Sequence, residues 1–355
     1  MSGLPLIGNP LFTRGQPKKF FMPDEGETHL RTWMGFVANE AIWSRTQIPR
    51  VKEDLALIAN TIAKYEPVSI LLSGDDLDDA TSLLDIASSN YPIELIECEL
   101  DDLWLRDTGA TFVRSESGEK FAIDFSFNGW GEKQRHSNDK LVANFMAEHT
   151  GVASIVSRLV LEGGCFEVDG KGTAIMTKSC IANDNRNPGM TLAEIETELK
   201  RLLGLRKIIW LEGVKGMDIT DGHTDFYARF AHKAEVVVSR DNYAASFDYE
   251  VTRENIEILR HSRDADNTPL QLHIINTPDF IDEQFGSEYF AAGYIGYYLC
   301  NGAVIAQKFG DKSADEKALA TLKDVYPNRT IEQLSITGIA SGGGSIHCAT
   351  QQEII

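Results

Sequence analysis

The sequence predicts an α/β fold assembled from a recurring unit of β-strands and one helix. Two observations predict it. Short apolar, β-rich runs stand at 109–113 (GATFV), 172–176 (GTAIM), 234–238 (AEVVV) and 302–306 (GAVIA), and their starts are 63, 62 and 68 residues apart. Amphipathic helical patterns fall between such runs, so the repeating unit carries a helix as well as strands. A spacing near 65 over 355 residues fits five units, the first shared between the two termini. No low-complexity stretch or linker divides the chain, which reads as one domain over 1–355.

The elements follow in order. Residues 1–20 carry Gly, Pro and Lys without periodicity and read as a surface arm. Residues 50–64 (RVKEDLALIANTIAK) place Val51, Leu55, Ile58 and Ile62 on one helical stripe. The segment GGCFEVDGKGTAIM reads as a hairpin turning at Asp169-Gly170. Residues 191–203 open with a capping box, Thr191 with Glu194, and stop at Gly204; Leu192, Ile195, Leu199 and Leu202 form the buried stripe. TDFYARFAHKAEVVV reads as a second hairpin, turning near His232. A third helix spans 314–325, capped by Ser313 with Glu316 and ended by Pro327.

Composition excludes several functions. The chain holds 53 Asp+Glu against 34 Lys+Arg, a formal net charge of −19. Such a surface repels phosphate backbones, so a nucleic-acid partner is not expected, and it draws cations. No apolar run approaches the roughly 18–20 residues of a membrane helix. The N-terminal segment lacks the positive start and apolar core of a secretory signal. Cys98, Cys165, Cys180, Cys300 and Cys348 are odd in number and scattered, with no CxxC. The expectation is a reduced, cytoplasmic protein with free thiols, not a disulfide scaffold or zinc module.

Reactive side chains concentrate in four segments: Trp104-Leu-Arg-Asp107-Thr-Gly109, Leu161-Glu162-Gly-Gly164, Asp221-Gly-His223-Thr-Asp225 and Gly342-Gly-Gly-Ser-Ile-His-Cys348. Glu162 lies 10 residues before its repeat run and His223 lies 11 before its own, so equivalent positions of different units would meet at one pole. His223 and Asp225, read as i and i+2 of a strand, share a face and form an acid/base pair; Glu162 could fix the second ring nitrogen. A bare solvated turn is the competing reading, since Asp-Gly is a turn signal. Cys348 follows a triple glycine and suits a nucleophile, given a nearby positive charge to lower its pKa. The other four cysteines read as small buried hydrophobes. His347 would point to the opposite strand face and is the weaker base. Asp107 beside Trp104 is a carboxylate against an aromatic wall, suited to a flat organic cation; its competing reading is a surface pair with Arg106.

These residues bring a family into view. The sequence resembles the agmatine deiminases, grouped with the bacterial-type peptidylarginine deiminases. The matching pieces are FMPDEGETHLRTWMGF (21–36), WLRDTGATFV (104–113), FNGWG (127–131), LEGG (161–164), NRNPGM (185–190), DGHTDF (221–226), FGD (309–311) and GGGSIHCATQQ (342–352), in the family's order. The resemblance implies a five-bladed α/β propeller, the pentein fold of guanidino-group-modifying enzymes, with pseudo-five-fold repeats. It implies Cys348 as nucleophile, His223 as general acid/base, Glu162 as the partner orienting His223, Asp107 and Asp225 as carboxylates clamping a guanidinium, and Trp104 lining the pocket. It implies conversion of agmatine to N-carbamoylputrescine and ammonia through a covalent thiouronium, with no metal and no organic cofactor. It is compatible with a homo-oligomer.

The sequence departs from the family's usual pattern at a few positions. Gly26 stands for Trp, Asp221 for Asn, and Gly109-Ala110 for Gly-Pro. The chemical core is intact. Lys133 and Arg135, after FNGWG, raise the alternative of a carboxylate-bearing substrate such as arginine or an arginyl peptide, giving citrulline; plain surface charge is the simpler reading. Amidino transfer to an amine is chemically close. A divalent metal on Glu162, His223, Asp225 and Asp107 is a further alternative, although the set is short of imidazoles for zinc or iron.

Overall fold

The computed structural model describes residues 19–281, 287 and 289–355. Their strands form five sheets of three or four strands. Each sheet has the same heart: an antiparallel pair, then a helix, then a strand parallel to the second of the pair. A parallel neighbour needs a long crossover, and the helix supplies it.

The first unit joins the two ends of the chain, as expected. The C-terminal strand Thr350–Ile354 runs antiparallel to His29–Gly35; helix α1 (Ile48–Ile62) crosses over to Val68–Leu72, and Ile93–Glu97 adds a further parallel strand. In the second, Thr111–Ser115 pairs with Lys120–Asp124, and α2 (Val142–Thr150) leads to Ala153–Val156. In the third, Phe166–Val168 pairs with Thr173–Thr177, and α3 (Leu192–Leu203) leads to Lys207–Leu211. The fourth uses Ala228–His232, Glu235–Arg240, α4 (Asp248–Arg260) and Gln271–Asn276. The fifth uses Tyr298–Cys300, Ala303–Gln307, α5 (Lys312–Val325) and Thr330–Leu334.

The five-unit architecture holds, with one correction to its register. GTAIM, AEVVV and GAVIA fall on the second strand of their pairs, but GATFV falls on the first; Lys120–Asp124 is its true equivalent. Both strands of a buried hairpin are apolar, so composition alone cannot tell them apart.

The helices bear out their patterns and correct their ends. Val51, Leu55, Ile58 and Ile62 are fully buried. The helix starts at Ile48, two residues before the expected 50–64, with Pro in its first turn, where a missing N–H costs nothing. The Thr191–Glu194 capping box is present and Gly204 ends α3 in the left-handed region at φ 70°. Ile195, Leu199 and Leu202 are buried there, while Leu192 is half-buried at the first turn. The cap of α5 is Asp311, whose side chain accepts from Ala314 N, not Ser313 with Glu316. Of the expected arm, residues 1–18 lie outside the described residues. Phe20 contradicts the rest: it is buried, in an edge strand against Thr111–Ser115.

Candidate active site

The four reactive segments do converge, and each lies on the turn leading into a unit's first strand. Trp104 precedes the helical turn Leu105–Thr108, Glu162 the 3₁₀ turn Gly163–Cys165, and His223 the 3₁₀ turn Thr224–Phe226. Cys348 sits in the turn before Thr350–Ile354. Glu162 and His223 are thus equivalent positions of neighbouring units, as their spacing suggested. His223 and Asp225 are not, however, on one face of a strand. Their segment is a 3₁₀ turn, so they reach different partners.

His223 Nε2 faces Glu162 Oε2 at 3.1 Å, and its Nδ1 lies 3.8 Å from Asp107 Oδ1. Burial disfavours charge on this ring, but Asp107, Glu162 and Asp225 outweigh it and raise its pKa to about 10. Burial likewise opposes the Glu162 charge, yet Arg186 and His223 hold its pKa down to about 2. Arg186 Nε spans both Glu162 oxygens at 2.9 Å, and its terminal nitrogens reach Asp221 Oδ2 at 2.8 Å and Thr220 O at 2.8 Å.

Asp107 is not paired with Arg106. Its Oδ2 accepts from Trp130 Nε1 at 2.9 Å and its Oδ1 from Gly164 N at 3.1 Å. Burial, then the nearness of Asp225 and Glu162, raises its pKa against the pull of His223. Trp130 holds this bond from a left-handed backbone, φ 56° and ψ 44°, uncommon for a bulky residue and accommodated by glycines on both sides.

Asp225 Oδ2 accepts from His347 Nδ1 at 2.7 Å and lies 3.9 Å from Cys348 Sγ. Its Oδ1 is buried without a hydrogen-bond partner among the described residues. Burial resists ionisation, but His347 and His223 keep this carboxyl below its ordinary range. An ionised oxygen left unpaired in the interior is costly, and a cationic donor brought beside it would satisfy it. The Cys348 thiol, within reach of Ser345 Oγ at 3.2 Å, is pushed well above its ordinary range by burial and then by Asp225 and Asp107.

A cavity of about 230 Å³ opens on Asp107, His223 and Cys348, with Trp104 and Trp130 among its walls. Glu162 stands behind His223, and Asp225 behind Cys348. Trp104 is held by Asp102, which also takes Trp43 Nε1, Leu103 N and Gln134 Nε2. The triple glycine makes room for these rings: a Cβ on Gly342 would meet Trp43 at 2.0 Å, and one on Gly344 would meet Trp104 at 2.1 Å.

Lys133 and Arg135 are tied down. Lys133 Nζ bonds Asp221 Oδ2 at 2.7 Å and Ile219 O at 2.9 Å; Arg135 Nε pairs with Asp101 at 3.0 Å. The metal alternative names Glu162, His223, Asp225 and Asp107. Among the described residues it is Glu162, Cys165 and His223 whose ligand atoms lie within 4.8 Å of one another, and there Arg186 already occupies the Glu162 carboxylate, so a metal cation would face a guanidinium.

Sequence reasoning assigns no role to Glu25, Arg186, Arg229 or Trp130, and it sets His347 aside. Three signals were present: PDEGE, NRNPGM and FNGWG stood out as segments without an assigned use.

The fold and its likenesses place the chain among the pentein enzymes that act on guanidino groups. The chain belongs to the Porphyromonas-type peptidyl-arginine deiminase family, whose model matches residues 21–353. A protein of Pseudomonas aeruginosa (strain LESB58) named agmatine deiminase is 32% identical over 356 residues, covering 94% of this chain and 95% of its own length. The solved agmatine deiminase of Enterococcus faecalis matches with a TM-score of 0.87 at 29% identity, over 94% of this chain and 96% of that one. An amidinotransferase from Microseira wollei shares the fold alone, with a TM-score of 0.55 at 12% identity over 94% of this chain and 96% of its own.

Proposed function

We propose that the chain hydrolyses agmatine to N-carbamoylputrescine and ammonia, with Cys348 as nucleophile. One observation carries the reading: two carboxylates, Asp107 and Asp225, flank a buried thiol, and one oxygen of Asp225 has no hydrogen-bond partner among the described residues. A guanidinium supplies both the missing donors and the missing positive charge.

The steps follow from that charge balance. Unliganded, the thiol stays protonated beside two carboxylates. Substrate brings a cation between them, which lowers the thiol's pKa so that its proton passes to solvent water and the thiolate forms. The thiolate attacks the guanidinium carbon, forming a C–S bond. His223, protonated and held by Glu162, gives its proton to the departing nitrogen, and the C–N bond breaks to release ammonia. A cationic thiouronium on Cys348 remains. Neutral His223 then takes a proton from water as the oxygen bonds to carbon. The C–S bond breaks, the departing sulfur takes the proton left on the ureido oxygen to restore the thiol, and the neutral ureido product leaves. Trp104 and Trp130 wall the site and hold Asp102 and Asp107 in register.

Agmatine fits better than arginine, because the two cations that would greet a carboxylate, Lys133 and Arg135, are already paired. The reading takes the chain as one catalytic domain in a reducing cytoplasm, in keeping with five free cysteines. Among the described residues, no helix is long and apolar enough to cross a membrane. The test is ammonia release and product mass with agmatine, arginine and a C-terminal arginyl peptide. Agmatine should give the highest kcat/KM, and Cys348→Ala should abolish turnover. Normal turnover by that variant would end the thiolate mechanism.

A further inference from the structure

Asp225 is braced from the side away from Cys348 by a residue pair that the chemistry above does not use. His347 Nδ1 donates to Asp225 Oδ2 at 2.7 Å, and His347 Nε2 reaches Glu25 Oε2 at 2.8 Å. Both ring nitrogens therefore face carboxylate oxygens, which only accept. Glu25 is itself fixed by three further donors: Arg106 at 3.0 Å, Arg229 at 2.9 Å and the backbone N–H of Leu299 at 2.8 Å. Arg229 is fully buried and also pairs with Glu167. Glu25 thus gathers side chains from the second and fourth units, a backbone N–H from the fifth and His347 from the C-terminal turn carrying Cys348.

We infer that Glu25 and His347 are positioning residues for the guanidinium-binding carboxylate Asp225: they fix one of its oxygens and leave the other free for substrate. The inference rests on the proposed guanidine chemistry. It assigns a use to the PDEGE segment and to the histidine beside Cys348. The pair also answers a charge problem. Asp225 faces Asp107, Glu167 and the Cys348 thiol on one hand, and His223, His347 and Arg229 on the other. Of these three, His347 alone is bonded to Asp225 itself. Without it, Asp225 would lose both its fixed rotamer and its nearest hydrogen-bond donor.

Three variants separate the roles. In Glu25→Gln the shape stays and the charge goes. In His347→Asn the amide nitrogen stands near the Nδ1 position and can still donate to Asp225. In His347→Ala nothing can. Agmatine affinity is measured by calorimetry in a Cys348→Ala background, where no turnover is needed. It should weaken by about tenfold in Glu25→Gln and more in His347→Ala, with His347→Asn restoring part of the loss. In the Cys348 enzyme, KM should rise more than kcat falls. The acidic limb of the kcat/KM profile should move to higher pH, because Asp225 is harder to ionise. A merely structural role would lower the fraction of sites labelled by a haloacetamidine and leave affinity, KM and profile unchanged in the remainder; that result overturns the inference. Wild-type protein that binds agmatine without releasing ammonia would refute the proposed reaction, while the calorimetric comparison would still decide the positioning role.

Discussion

Gly164 stands where three functional groups meet. A Cβ there would lie 2.5 Å from His223 Nδ1 and 3.1 Å from both Asp107 Oδ1 and Asp225 Oδ2. None of the three can retreat cheaply. His223 is held by Glu162, Asp225 by His347, and Asp107 by Trp130 and by the N–H of Gly164 itself. Gly164→Ala should therefore displace the proposed acid/base ring of His223 and both carboxylates while leaving the fold intact. Displacements of this size at a reacting centre cost on the order of a hundredfold in rate. Steady-state kinetics and a thermal melt check it: kcat/KM should collapse with little change in melting temperature. A variant with near-normal kcat/KM would show that His223, Asp107 and Asp225 do not form the reacting centre in this arrangement.

Two loops, the 127–135 segment and the 216–221 segment, border the cavity and are strapped together by Lys133. Its ammonium bonds Asp221 and the backbone oxygens of Asp218 and Ile219. Asp221 in turn accepts from Arg186, which carries Glu162. Asp221 thus adds a negative charge beside Glu162, and Lys133 balances it. Burial opposes that charge, but Lys133, Asn185 and Arg186 hold the Asp221 pKa down to about 2. Lys133→Gln and Asp221→Asn should each lower stability, and the double variant should lose less than their sum. A urea-unfolding cycle should give a coupling of about 1 kcal/mol, and additivity would mean that the strap carries nothing. The same loops show what a sequence hides. Helix α3 and the five-unit plan were legible because capping and periodicity are local. The four reactive segments were legible as dense chemistry. The roles of His347 and Glu25 were not, since 322 residues separate them. The strand reading also failed twice for one reason, at His223–Asp225 and at His347: the site residues sit on turns that enter strands, where alternation of faces has not begun.

The whole molecule carries the charge imbalance of −19 into its interior, and this sets how stability depends on pH. Burial raises the carboxyl of Asp54 from 3.8 to about 6, that of Asp139 from 3.8 to about 8 and that of Asp248 from 3.8 to about 6. Such groups bind protons more tightly folded than unfolded, so their contribution falls as pH rises from 3.8 through those values. His223 behaves alike at higher pH. Its pKa rises from 6.5 to about 10, so its contribution is whole below 6.5 and is lost as pH climbs through 10. Glu162 and Asp221 oppose this at the acid end. With pKa values lowered to about 2 from 4.5 and 3.8, they contribute above those ordinary values and lose it as pH falls toward 2. The two trends cross in the mildly acid range, where repulsion among surface carboxylates is also weakening. The thermal midpoint should therefore peak near about pH 5 and be lower at about pH 8.5 and at about pH 3. Asp139 tests the attribution. Among the described residues its buried Oδ2 has no hydrogen-bond partner, while its Oδ1 accepts from Asp101 N at 2.7 Å and Asp102 N at 3.3 Å. Asp139→Asn keeps an acceptor oxygen for those N–H groups and removes the ionisation, so the decline from pH 6 to pH 9 should flatten. Scanning calorimetry of both proteins across that range decides it. A wild-type midpoint that is level or rising toward pH 8.5, or an Asp139→Asn slope as steep as the wild type's, would show that these buried carboxyls do not govern stability.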